Sequence, residues 1–223
     1  MFKAIFFDPL YKALAFISTN IPGSDLGIAI ITLTLIVKFI LLPFYHQSLV
    51  TQIKLKRIDP EIKKIKERNK DNKTEETKQL LGLYKDNKIN PLMGFVVILV
   101  QIPIIFALFY VFKDSASLQG ANHIFLGFLD VTKRSLVAAL LTGLTQFIQI
   151  KLSLPNLPVL SGERTMKDDF ARSMHFQMKY FMPVIVMVVA AGLPAALSLY
   201  WITSNVFSII YEVLVRRIML TKI

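Results

Sequence analysis

The 223-residue chain contains no cysteine, which excludes disulfide frameworks, thiolate metal sites, cysteine nucleophiles and cysteine lipidation. Its nine glycines form no phosphate-cradling loop. His46, His123 and His175 stand in separate connections, so neither a metal centre nor a histidine-based triad is supported. Acidic residues are few, 15 against 26 lysines and arginines, and none interrupts the long apolar runs. Glu212, just past the last run, comes nearest. Proton- and sodium-coupled transporters generally need buried carboxylates or broken-helix carbonyl sites, so that class is disfavoured. The expectation is a protein that is not an enzyme and needs no cofactor or metal.

What is present is apolar and basic. Hydrophobic residues make up 54% of the chain and the net charge is +11. The apolar residues are concentrated in long uncharged runs, which suggests a membrane protein with one cationic aqueous face and argues against a nucleic-acid binder. Five spans fit, at 26–45, 92–112, 135–150, 180–193 and 195–215. The run from Tyr180 to Tyr211 holds 32 uncharged residues. As one helix it would be about 48 Å long, too long for a hydrocarbon core of about 30 Å. Gly192-Leu193-Pro194 therefore divides it. The stretch Asp168 to Lys179 is expected to extend the fourth span as an amphipathic helix on the aqueous side.

At the N-terminus only four apolar residues separate Lys3 from Asp8-Pro9, too few for a cleavable signal region. Asp8 reads as an N-cap and Pro9 as the first helical position. Residues 1–25 then form an extracytoplasmic segment whose amphipathic helix, 9–19, lies along the membrane surface. Lysine and arginine number 12 in residues 46–91, five in 151–179 and three after 211, against two before residue 26 and three in 113–134. The positive-inside rule places 46–91, the loop 151–179 and the tail 216–223 in the cytoplasm, with the N-terminus and the loop 113–134 outside. Residues 46–91 read as a helical hairpin. Asp59-Pro60 opens its first helix, Asn69 to Lys73 makes the turn, and Thr74 caps a second helix with Leu80, Leu81 and Tyr84 on its apolar side. Its basic surface could dock on lipid headgroups or ribosomal RNA, or be only a solvated topology signal.

Lys38 stands in the middle of the first apolar run. A charge there costs roughly 2.5–3.5 kcal/mol on insertion scales, a cost usually met where the charge faces a polar cavity. Snorkelling toward Tyr45 is the alternative. Thr32 and Thr34 share its span, Gln101 lies in the second, and Thr142, Thr145, Gln146 and Gln149 in the third. Ser198, Thr203, Ser204 and Asn205 lie in the fifth, beside Tyr200 and Trp201. In lipid such groups need partners, so they are expected to face one another, either as interhelical hydrogen bonds or around a wet groove.

These residues carry a resemblance. Thr34-Leu-Ile-Val-Lys-Phe-Ile-Leu-Leu-Pro43, Asp59-Pro-Glu-Ile-Lys63, Leu83-Tyr-Lys85, Lys88-Ile-Asn-Pro91, Gln101-Ile-Pro-Ile104, Tyr180-Phe-Met-Pro183 and Leu197-Ser-Leu-Tyr-Trp-Ile-Thr-Ser-Asn205 resemble the YidC/Oxa1/Alb3 membrane protein insertases over residues 8–217. The resemblance implies an all-α fold of five spans around a groove open to the cytoplasm, in the bacterial inner membrane. Lys38 would be the groove cation, where relatives usually carry arginine; lysine keeps the charge but loses the planar fork. Thr34, Gln101, Gln146, Gln149, Trp201 and Asn205 would line the groove, and Phe106, Met182 and Met187 would offer a sliding surface for clients. The Met166, Met174, Met178, Met182 and Met187 cluster suits varied apolar clients, or is packing filler. Implied partners are nascent membrane protein chains, the ribosome, the Sec translocon, the signal recognition particle pathway and the bilayer. A small channel or transporter, or a structural subunit with its groove permanently filled, would use the same polar residues differently.

Overall fold

The computed structural model describes residues 3–20, 23, 25–70, 72–90, 93–115, 121–153, 173 and 176–221. Helices dominate, and the chain divides into two compact units, Met1–Phe39 with Pro103–Ile223, and Ile40–Ile102. Helix α1 is Asp8–Asn20, α2 Leu26–Arg57, α3 Asp59–Arg68, α4 Lys73–Asp86 and α5 Met93–Ser115. A two-stranded antiparallel hairpin follows, β1 Ile124–Phe125 and β2 Leu129–Asp130. Then come α6 Leu136–Ser153, α7 Met182–Gly192 and α8 Ala195–Thr221. By length and composition, Leu26–Arg57, Leu136–Ser153 and Ala195–Met219 can each cross a membrane, and Gln101–Phe112 and Gln177–Gly192 are shorter apolar helices.

Several boundaries differ from the sequence expectation. A π-helical turn, Lys3–Phe7, precedes α1, so Asp8 lies inside a helical stretch and is not its cap; the chain is already wound when it reaches Asp8. Helix α2 continues through Pro43 to Arg57. Residues 46–57 therefore prolong the first apolar helix and do not belong to the hairpin. Lys54, Lys56 and Arg57 occupy its last turn, where cations complement the negative end of the helix dipole. Pro43 removes one backbone bond but does not end the helix, as is common for prolines in membrane helices.

In the first unit, α6 packs against both α7 and α8. Gly143 allows the close approach of α7: a Cβ there would stand 2.9 Å from Cβ of Met187. The expected break falls at Leu193, which is extended at φ −114° and ψ 163°, and α8 starts after Pro194. The β-hairpin turns at Leu126 and Gly127, both with positive φ (50° and 81°), a geometry glycine adopts without a Cβ penalty. The Phe125 ring fills the space beside Gly27 of α2, which any Cβ at Gly27 would invade.

In the second unit, α3 and α4 pack as neighbours. Asn72, and not Thr74, caps α4: its side chain accepts from the Glu75 N–H at 3.0 Å. The helix begins one residue before Thr74, which leaves that hydroxyl past the capping position. Leu80 and Tyr84 are half-buried, whereas Leu81 is 60% exposed. Adjacent residues on a helix point about 100° apart, so Leu80 and Leu81 cannot both face α3. Asn69 Nδ2 donates to Gln79 Oε1 (2.9 Å), and Lys54 Nζ donates to the Asn87 carbonyl (3.2 Å). Residues 154–172, with His175, Met166, Met174 and most of the expected amphipathic stretch Asp168 to Lys179, lie outside the described residues.

Candidate functional site

Helix α8 carries a polar stripe at helical spacing: Trp201, Ser204 and Asn205, Ser208, Glu212. Residues three, four and seven apart share one helix face. Ser204, Asn205, Ser208 and Glu212 are all buried. Lys38 of α2 reaches this stripe, its half-buried ammonium donating to Ser208 Oγ at 3.3 Å. Ser208 donates in turn to the Ser204 carbonyl at 2.8 Å. The hydroxyl proton is therefore turned toward its own helix, and the oxygen lone pair meets the ammonium. Beside this bond, Phe39 stands edge-on to Phe207, with ring centroids 5.3 Å apart.

Hydrogen bonds tie α6 to α8 along their length. Thr142 Oγ1 donates to the Ser198 carbonyl (3.3 Å) and Asn205 Nδ2 to Thr145 Oγ1 (3.2 Å). Further along, Gln149 Nε2 donates to Ser153 Oγ (3.1 Å), and Ser153 Oγ donates to Glu212 Oε2 (2.6 Å). Glu212 is 0% exposed. Its other oxygen accepts from Nε (2.9 Å) and Nη2 (2.7 Å) of Arg216, whose Nη2 also reaches the Leu152 carbonyl (3.2 Å). The interhelical bonding expected of such residues is thus realised for Asn205 directly and for Gln149 through Ser153. Gln146 and Trp201 are half-buried.

Thr34 is 1% exposed and its hydroxyl donates to the Ile30 carbonyl of its own helix at 2.7 Å. Gln101 belongs to the second unit, where it is half-buried. Phe106 and Met182 are exposed. Met187 lies over Gly143, so this methionine packs two helices together.

At the opposite end of α8 a second polar cluster closes the helix starts. Asp25 is buried and caps α2, Oδ1 accepting from the N–H groups of Gly27 (2.8 Å) and Ile28 (3.1 Å). Its Oδ2 accepts from the Leu126 N–H (3.2 Å), and the Leu26 N–H donates to the Asn122 carbonyl (2.9 Å). The first N–H groups of α8, from Ala195 and Ala196, donate to the carbonyls of Lys133 and Val131, both at 2.8 Å. One connection thus satisfies donors that two helices would otherwise leave orphaned. Asp130 anchors that connection: the Thr132 hydroxyl (2.6 Å) and the Lys133 ammonium (2.9 Å) hold its carboxyl down at about 2.

Sequence reasoning missed Ser208, Ser153 and Asp25, and it left Glu212 at a membrane edge. Signals existed. Ser204, Ser208 and Glu212 recur every fourth residue, and Glu212 precedes Arg216 by four, the favourable order for a helical ion pair. Asp25 stands immediately before the first apolar run, as a capping residue should.

Comparison with known proteins adds a family. The model of the family described as 60Kd inner membrane protein matches residues 16–222. A Clostridium tetani protein named membrane protein insertase YidC is 32% identical over 213 residues, 96% of this chain and 91% of the relative. A Bacillus anthracis protein named membrane protein insertase YidC 2 is 31% identical over 93% of this chain and 78% of its own length. A Francisella philomiragia protein named membrane protein insertase YidC is 33% identical over 86% of this chain but only 32% of the relative, so the chain spans about a third of that protein. A crystal structure of an active YidC insertase with its first transmembrane domain resolved superposes with a TM-score of 0.60 at 23% identity, covering 94% of this chain and 46% of that one.

Proposed function

Because this chain belongs to the 60Kd inner membrane protein family, that of the YidC/Oxa1/Alb3 membrane protein insertases, we propose that it inserts nascent membrane proteins by giving their short polar segments a hydrated, cation-bearing path into the bilayer. One observation carries this reading: Lys38 lies at mid-run in an apolar helix and meets a hydroxyl of α8. A mid-membrane ammonium is costly, and the cost is tolerable where polar groups and water receive it.

The polar tail ahead of a client's hydrophobic segment cannot cross about 30 Å of hydrocarbon unaided, because each unsatisfied polar group costs several kcal/mol. A groove lined by Lys38, Gln146, Gln149, Trp201 and Asn205 shortens that dry path, with Thr34 packed beneath the cation. Lys38 attracts acidic residues of the tail. The hydrophobic segment meanwhile slides past Phe106 and Met182 into lipid, and its own burial drives the step without nucleotide. The five-span division of the sequence analysis, with the N-terminus outside and the C-terminus in the cytoplasm, belongs to this proposal. So do the ribosome, the Sec translocon and the signal recognition particle pathway as partners.

Insertion of two clients, differing only in acidic or neutral tails, into vesicles containing the purified protein tests the reading. Lys38→Arg should keep insertion of both. Lys38→Glu should lower insertion of the acidic-tailed client by about tenfold or more through charge repulsion, and spare the neutral one. Equal activity of the two variants on the acidic-tailed client would remove the attraction step.

A further inference from the structure

The β1–β2 hairpin ends on residues ill-suited to water. Its turn has positive φ at both Leu126 (50°) and Gly127 (81°) and is closed by the Phe128 N–H, which donates to the Phe125 carbonyl at 3.2 Å. That geometry favours Asn-Gly, and a bulky side chain at its first position is strained. Leu126 nevertheless holds it and is 62% exposed, and Phe128 is 78% exposed. So small a hairpin is marginal by itself, and its neighbours hold it. Asp25 Oδ2 accepts from the Leu126 N–H, and the Phe125 ring lies against Gly27. The tip therefore stands beside the first turn of α2, whose run is apolar from Leu26 onward. The same connection meets the start of α8 through the carbonyls of Val131 and Lys133, and α6 begins shortly after it at Leu136. Among the described residues, α2, α6 and α8 are the helices long and apolar enough to cross a membrane. All three begin around this one connection, and the exposed tip lies where they enter the membrane.

We propose that the Leu126–Phe128 tip is a lipid-docking surface, which seats this end of the helices in the boundary between phospholipid headgroups and acyl chains. Two observations make phospholipid the occupant. The apolar surface continues from the connection into α6, where Leu136, Val137 and Leu140 are exposed along a helix of membrane-crossing length. Between the hairpin and that helix stands Arg134, also exposed, a cation suited to lipid phosphate. Leucine and phenylalanine fill the apolar side of interfacial elements for the same reason. In water the tip would leave two large apolar side chains solvated; in the boundary region it buries them, and that gain offsets the strain of a leucine at positive φ. Asparagine would relax the turn but offer nothing to acyl chains. The docking belongs to the protein in its bilayer and does not depend on the insertase reading.

The chain has no cysteine, so a single introduced cysteine reports on one site. Phe128→Cys, carrying a fluorophore, is placed in phospholipid vesicles with iodide on both sides of the membrane, or with nitroxide-bearing lipids. Glu67→Cys on α3 supplies the water-exposed reference and Leu140→Cys on α6 the lipid-facing one. Iodide should quench the label at 128 about threefold or more weakly than the label at 67, and nitroxides near the headgroup should quench it more than nitroxides at the chain ends, as suits a depth of about 5–10 Å. Iodide quenching equal to that at 67 puts the tip in water and overturns the proposal. Protection from both quenchers overturns it too, because protein then covers the tip; protection that fades as the protein is diluted in lipid identifies that cover as a second copy. Leu126→Cys should behave as Phe128→Cys does, and water exposure there counts equally against the docking. A further variant reads the seating. Leu126→Asn with Phe128→Ser suits the turn but removes its apolar tip. In that background iodide should quench a label at Leu136→Cys, in the first turn of α6, about twofold more strongly than with the tip intact. No change there means that the tip seats nothing, and the proposal falls.

Discussion

Lys38 and Ser208 come from opposite ends of the sequence, and neither residue alone points to the other. Lys38 is conspicuous because nothing charged surrounds it in the chain. Ser208 is inconspicuous, since a serine in a membrane helix can donate to the carbonyl four residues back and need no other partner. Thr32, Thr142 and Thr203 all donate in that way, as Ser208 does. What distinguishes Ser208 is that its oxygen also accepts from the Lys38 ammonium. Asp25 is a similar case, an ordinary cap with an added long-range role. Its carboxylate closes α2 and holds the Leu126 N–H of the β-hairpin. Asp25→Ala should therefore lower stability by about 1–2 kcal/mol, seen as a lower thermal midpoint in detergent. Asp25→Asn, whose amide oxygen still caps, should recover most of it. An unchanged midpoint for the alanine variant would show that water replaces the cap at no cost.

At the scale of the element, helix existence was legible and helix ends were not. The apolar runs and the Gly192-Leu193-Pro194 punctuation located α2, α6, α7 and α8, because a long apolar run and a proline-bearing break act locally. The overrun of α2 to Arg57 and the start of α4 at Lys73 were hidden. Helical hydrogen bonding propagates through polar residues as readily as through apolar ones, and several residues near a boundary can serve as caps. The packing of α6 on α7 turns on Gly143. Gly143→Ala should cost about 1–3 kcal/mol by forcing Met187 aside, read from the unfolding midpoint; no loss would mean that α7 shifts freely. The α3–α4 hairpin carries the Asn72 cap of α4 and the Asn69–Gln79 bond within itself. Deleting 60–88 should therefore leave the midpoint of the remaining helices nearly unchanged while impairing client delivery in a coupled translation assay. Full insertion by the deletion variant would reduce the hairpin to a topology signal.

For the whole molecule, the polar residues divide into those that hold helices together and those still available to a passing chain. Thr142, Ser153, Glu212 and Arg216 form the first set, while Asn205 both bonds Thr145 and lines the proposed groove. In the proposed mechanism, half-buried Gln146 and Trp201 belong to the second. Cysteine labelling separates the two: Gln146→Cys should react with a membrane-impermeant thiol reagent added from the cytoplasmic side. Thr34→Cys, in a position 1% exposed, should be protected. Protection of both, at the level of lipid-facing controls, would indicate a dry bundle and remove the wet path that the proposed mechanism requires.

Composition and order along the chain were enough to establish a helical membrane protein of the insertase family. Those features are local: runs of apolar residues, prolines that end helices, a solitary cation and short motifs at fixed spacing. Which polar groups are structural and which remain open was decided only by the fold. Hydrogen bonds across helices depend on how each helix is rotated and where it stops, and a rotation of one residue turns a side chain by about 100°. That rotation brings Lys38 to Ser208 and Glu212 to Arg216 and Ser153.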